Sequence, residues 1–150
     1  MLHHVFSLMC QSVTKEKDGN ISINKIITSG SVSSIPSTLP GFSIVSMWNF
    51  ENDDMEPEKY TRVRYLLKAP SRTISIGGID IDHDKATNIN SVIVNLESLP
   101  IRETGSYSIK IDKYAKKRWK NVASIPFRIV EKSKPEKTHR NQNSTSEKQP

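Results

Sequence analysis

Along most of the chain, apolar and polar residues alternate with a period of two. This is the repeat of a strand with one face in a core and the other in water. In residues 106–113, Tyr107, Ile109 and Ile111 share a face. In residues 60–69, Val63, Tyr65 and Leu67 lie on one side and Arg62, Arg64 and Lys68 on the other. Phe42, Ile44, Trp48 and Phe50 align in the same way, as do Val92, Val94 and Leu96, and Ala123, Ile125, Phe127 and Ile129. Residues 5–14, 21–28 and 73–76 read as further strands. Pro126 cannot donate to a ladder, so its strand is expected at an edge or bulged there.

The punctuation between these segments agrees. Asp18-Gly19 supplies the positive φ of a hairpin turn between the first two strands. Gly77-Gly78 marks a bulge or bend. Residues 30–41, with Ser29-Gly30-Ser31, Ile35-Pro36 and Leu39-Pro40, read as a loop or irregular edge. Strands of this length with turn signals every 8–14 residues predict an all-β fold. The expected form is an immunoglobulin-like antiparallel β-sandwich of about seven to nine strands. Gly105 stands two residues before Tyr107, as in the approach to the penultimate strand of such sandwiches, where a Tyr hydroxyl ties back to upstream backbone.

Composition supports strands over helices. Ile and Val number 26 against 11 Leu and Ala, and β-branched residues favour a pleated surface. No apolar run approaches the roughly 18 residues of a spanning helix, so no membrane partner is expected. Residues 133–150 contain no aliphatic or aromatic side chain and cannot bury enough surface to order themselves. The expected organisation is a β-domain over 1–132 and a disordered basic, polar tail over 133–150. The net charge is +6. The tail holds four cations and two carboxylates, which leaves +4 on the domain. That excess permits an anionic partner without demanding one. Cys10 is the single cysteine, so a cytoplasmic protein without disulfides is expected, with Cys10 a buried small hydrophobe. The first ten residues lack the basic start and the cleavage site of a signal peptide.

Two blocks carry a resemblance. One runs from Asp18-Gly19-Asn20-Ile21 to Ile35-Pro36-Ser37-Thr38-Leu39-Pro40-Gly41-Phe42. The other comprises Gly105-Ser106-Tyr107 and the closing Pro126-Phe127-Arg128-Ile129-Val130. Together they resemble a family of small, uncharacterised bacterial proteins, a domain of unknown function with an immunoglobulin-like sandwich. The resemblance implies that fold and no assigned chemistry.

The sharpest candidate for function is Lys113, Tyr114, Lys116, Lys117, Arg118, Trp119 and Lys120, expected at a hairpin tip between the last two strands. Cations there can neutralise phosphates while the two rings stack on bases, and Arg62, Arg64 and Lys68 extend the surface if their strand shares that side. The competing reading is a solvated hairpin with Trp119 packed over the sheet edge. Asp80, Asp82, His83 and Asp84 put three carboxylates and an imidazole close together. An EF-hand loop would need Gly and Glu where Lys85 and Ser91 stand, so these residues read as a solvated loop. His3 and His4 lack neighbouring ligands, and His139 lies in the tail. Glu51, Asp53, Asp54, Glu56 and Glu58 form an acidic connection. No nucleophile elbow, phosphate loop or dinucleotide fingerprint is present. No metal, cofactor or catalysis is therefore expected. The function expected is a non-catalytic binding or assembly module with a protein partner at its loops and edges, and nucleic-acid binding through the basic tip is the alternative.

Overall fold

The structure is a computed structural model that describes residues 1–51, 58–84, 86 and 88–132. Among these residues there is no helix, and nine strands form two sheets. They are β1 (Leu2–Lys15), β2 (Ile21–Ile26), β3 (Ser29–Val32), β4 (Ser37–Phe50), β5 (Tyr60–Lys68), β6 (Thr73–Asp82), β7 (Ile89–Ile101), β8 (Gly105–Ala115) and β9 (Arg118–Glu131). One sheet runs β2-β1-β4-β7 and the other β3-β9-β8-β5-β6. The five-stranded sheet curls into a half-barrel. The expected tail over 133–150 and most of the acidic connection lie outside the described residues.

The turn chemistry behaves as the sequence suggests. Gly19 takes φ +86°, and the Asn20 amide donates to Asp18 Oδ1 at 3.0 Å, which closes the β1–β2 hairpin. Ile76 is the extra residue where Tyr65 faces Gly77 and Leu66 faces Ser75, a bulge at the glycine pair.

Two expectations need correction. Residues 30–41 are more regular than a loop: they supply β3, which is an edge strand, and the start of β4, joined by a bend over residues 33–36. The β3–β9 ladder is also parallel, so the fold is not purely antiparallel. Tertiary pairing overrides the weak strand propensity of this Ser/Gly-rich segment. Gly30 permits the close approach, since a Cβ there would lie 2.9 Å from Ile129 Cδ1. The Pro126 expectation needs refinement. β9 lies between β3 and β8, yet Pro126 precedes the β3 ladder, which begins at Arg128. Pro40 likewise stands where β4 has β7 on one side, before the β1 ladder starts at Ser43. Each proline therefore occupies a local edge, where its missing N–H costs no ladder bond.

The core lies between the sheets. Met9, Phe42, Ile44 and Trp48 come from one, and Val63, Tyr65, Leu67, Ile109, Ile111 and Ile129 from the other. Each buried aliphatic side chain contributes roughly 1.5–3 kcal/mol of transfer free energy. Tyr107 enters the same core, stacks obliquely on Phe127 with centroids 5.4 Å apart, and donates its hydroxyl to the Glu103 carbonyl at 2.5 Å. Gly105 opens that strand at φ +126°, a conformation that favours glycine.

A polar file also enters the core. His4 Nε2 and Ser7 Oγ are 2.7 Å apart, and Ser7 Oγ and Ser46 Oγ are 2.7 Å apart. His4 meets the Trp48 ring edge-on at 5.1 Å. The Trp48 indole N–H and the Tyr65 hydroxyl are buried beside Ser46 without a hydrogen bond of good geometry. Burial lowers the His4 pKa, because the charged imidazolium is poorly solvated there.

Candidate functional site

Strand alternation decides which side chains share a surface. On the outer side of the curled sheet, opposite the core residues Val63, Tyr65, Leu67, Ile109 and Ile111, stand Arg62, Arg64 and Lys68 of β5, Lys110 of β8 and Arg128 of β9. Against these five cations the same side presents Asp80, Asp82 and Asp112.

Trp119 occupies this face at the β8–β9 hairpin, paired across the ribbon with Tyr114. The two rings meet edge-on, 5.2 Å between centroids. The Arg64 guanidinium carbon sits 4.3 Å from the Trp119 ring centroid. Arg64 Nε donates to Asp112 Oδ2 at 2.9 Å, and Asn121 Nδ2 donates to Asp112 Oδ1 at 3.1 Å. A register shift beside Asp112 brings Asn121 opposite it. The buried carboxylate therefore fixes the arginine, and the arginine fixes the indole. A shallow groove of about 380 Å³ runs beside the pair, bounded by Arg62, Arg64, Ile79, Asp80 and Trp119. Its floor is open because Gly78 stands opposite Arg64 in the ladder.

The structure sorts the seven residues proposed from sequence. Tyr114 and Trp119 share the face with Arg64. Lys116 and Lys117 form the turn, with φ 52° and 65°, a left-handed pair more typical of Asn-Gly. Arg118 and Lys120 flank Trp119 and alternate to the opposite side of the ribbon. Lys113 also leaves the face, and its Nζ donates to the Leu2 carbonyl at 2.8 Å. The rings are thus where the sequence puts them, while much of the accompanying charge comes from β5, β8 and β9. Lys110 and Arg128 were missed. Their outward alternation was visible, but the pairing that brings them beside Arg64 was not.

The Asp80–Asp84 group is dispersed. Asp80 pairs with Arg62 at 3.2 Å, Asp82 Oδ1 accepts the Asp84 amide at 3.0 Å, and His83 Nε2 lies 2.6 Å from Thr61 Oγ1. No group of three or more His, Cys, Asp or Glu side chains suited to a metal occurs among the described residues. Asp80 and Asp82 belong to β6, not to a loop. His3 lies 3.5 Å from Glu51. His139, Lys85 and Asp53, Asp54 and Glu56 of the acidic connection lie outside the described residues. Cys10 is fully buried, and desolvation raises its thiol pKa.

A larger cavity, about 540 Å³, opens where the chain passes from β2 to β3. Met9, Ile27, Leu39, Phe42 and Ile129 make it largely apolar, with Lys25 among its polar lining residues.

Among the described residues this is a two-sheet, nine-stranded β protein with a net cationic sheet face. The chain belongs to a family of unknown function (DUF6941), whose model matches residues 5–130. No curated protein matches the chain. No helix among the described residues is long and apolar enough to cross a membrane.

Proposed function

We propose that the chain is a non-catalytic binding module with an immunoglobulin-like strand arrangement, and that the outer face of its curled sheet holds a flexible polyanion, single-stranded nucleic acid. The observation that carries this reading is Arg64, fixed between Asp112 and the Trp119 ring on a face where cations outnumber carboxylates. Phosphates favour such a face through counterion release, and an exposed indole offers a stacking platform that tolerates any base. The immunoglobulin-like detail is supported by the parallel β3–β9 ladder, the β9-β8-β5-β6 order and the Tyr107 tie. The reading includes a reducing, cytoplasmic setting, supported by the buried unpaired Cys10 thiol.

The test is a salt titration with short single-stranded DNA and RNA oligomers. Affinity is expected to fall steeply with added salt. Absence of binding at physiological ionic strength, or binding indifferent to salt, overturns the reading and leaves a protein partner in its place.

A further inference from the structure

The other outer face of the molecule has the opposite character. Met9, Ile44 and Trp48 point inward from the four-stranded sheet, so their neighbours point out. The register aligns Leu8 with Val45 and Val45 with Ile93, and Phe6 with Met47 in the next row. Ile26 stands opposite Cys10 on β2. The remaining outward positions between these rows are Cys10, Ser12, Ser43, Ser91, Asn24 and Asn95. None of these positions carries a formal charge. Among the described residues, charge returns at the margins, with Glu97 at one end and the His3–Glu51 pair at the other.

A solvated antiparallel sheet ordinarily shows polar and charged residues on its water face. Here Phe6 is 41% exposed and Ile26 60% exposed, and Val45 and Cys10 are already fully buried beneath their neighbours. Among the described residues, no other strand packs on this side.

We infer that this face is covered by a second copy of the chain, in a two-fold dimer of stacked sheets. Charge selects the partner. Each copy carries +6, and two curled-sheet faces brought together would oppose surfaces on which cations outnumber carboxylates. The four-stranded face contributes no like-charge repulsion, and stacking there keeps the cationic faces on opposite sides of the dimer, beyond roughly one Debye length of about 8 Å. A two-fold contact uses the same patch twice, so it suits an uncharged, self-complementary surface. The polar margin around an apolar centre is the usual anatomy of such a contact.

The contact is small. Seven residues of β4, Ser43 to Asn49, span about 23 Å, and the three strands side by side there, β1, β4 and β7, span about 14 Å. β2 meets this patch only at Ile26, opposite Cys10. The flat area is on the order of 330 Å² per copy, which puts the two-copy contact below the roughly 1,200 Å² of standard specific interfaces. Area does not set affinity, and a contact of this size is expected to be weak, with dissociation at roughly 10–100 µM.

Sedimentation velocity on the full chain, from roughly 1 to 100 µM, reads this directly. A monomer–dimer equilibrium is expected in that range. Phe6→Glu buries a carboxylate in each copy's contact face and raises the dissociation constant at least about tenfold. Ile26→Lys, at a more exposed position, does the same without disturbing the monomer, and it carries the test should Phe6→Glu fail to fold. A wild-type chain that stays monomeric at the highest concentration overturns the inference. So does a dimer that survives both folded substitutions.

Discussion

Arg64 lies over the face of Trp119, 4.3 Å from guanidinium carbon to ring centroid, while its Nε donates to Asp112. The contact joins β5 to the β8–β9 hairpin across the intervening ladder. Neither residue is near the other in sequence, and Asp112, which holds the arginine from its other side, is 6% exposed. Cation–π attraction at a partly exposed site contributes roughly 0.5–1 kcal/mol. The ion pair holds the geometry.

A double-mutant cycle on Arg64→Ala and Asp112→Ala tests that ordering. Because Arg64 retains about a third of its exposure, solvent screens the pair, and a coupling of about 1–2 kcal/mol is expected in urea unfolding, between exposed and buried pairs. Coupling near zero would mean that the two residues act independently.

For single-stranded nucleic acid, Trp119→Ala is expected to weaken binding by about 1–3 kcal/mol through the missing stacking platform. Replacing Lys68, Lys110 and Arg128 together with Ala is expected to flatten the salt slope by roughly 0.7 for each phosphate that is no longer neutralised, about two in all. Replacing Arg118 and Lys120, on the other side of the ribbon, should change the slope less. Equal effects from both sets would remove the face as the binding surface.

His4 makes stability pH-dependent. Its folded pKa lies below the ordinary 6.5, so below that pH the unfolded chain takes up a proton that the folded state resists. Stability is therefore full above about pH 6.5 and falls on acidification. Thermal melts at about pH 7.5 and about pH 5.5 should show a lower Tm in acid, with a smaller difference for His4→Gln. Asp18 and Glu103, whose hydrogen bonds hold their carboxyls below the usual range, add losses only at lower pH.

Tyr107→Phe removes the hydroxyl bond to Glu103 and keeps the ring on Phe127. A loss of about 1 kcal/mol, with an unchanged urea m-value, is expected. No change would show that the strand is held by packing alone.

The strands with clean alternation were legible because each buries one face. Tyr107, Ile109 and Ile111 in β8, and Val63, Tyr65 and Leu67 in β5, lie as their spacing requires. β3 was not legible: Ser29, Gly30 and Ser31 gain their conformation from β9, a partner distant in the chain. The site was half legible. Trp119 and Tyr114 announce themselves as aromatic rings in a basic segment. That Arg64, Lys110 and Arg128 join them, and that Lys113 turns away to Leu2, follows from register and twist, which local pattern does not carry.

The parallel ladder of β3 with β9 also has a consequence for how the chain comes together. Ser29 pairs with Arg128, and Lys132 donates to Val32, so a segment made early waits for the last strand before its backbone is satisfied. The β1–β2 hairpin forms from local contacts, but the seam beside it closes only after nearly the whole domain has been synthesised. Assembly is thus weighted toward non-local pairing, which slows folding. Until β9 arrives, the apolar cavity beside Gly30 lacks its Ile129 wall, and the growing chain is at its most vulnerable to association.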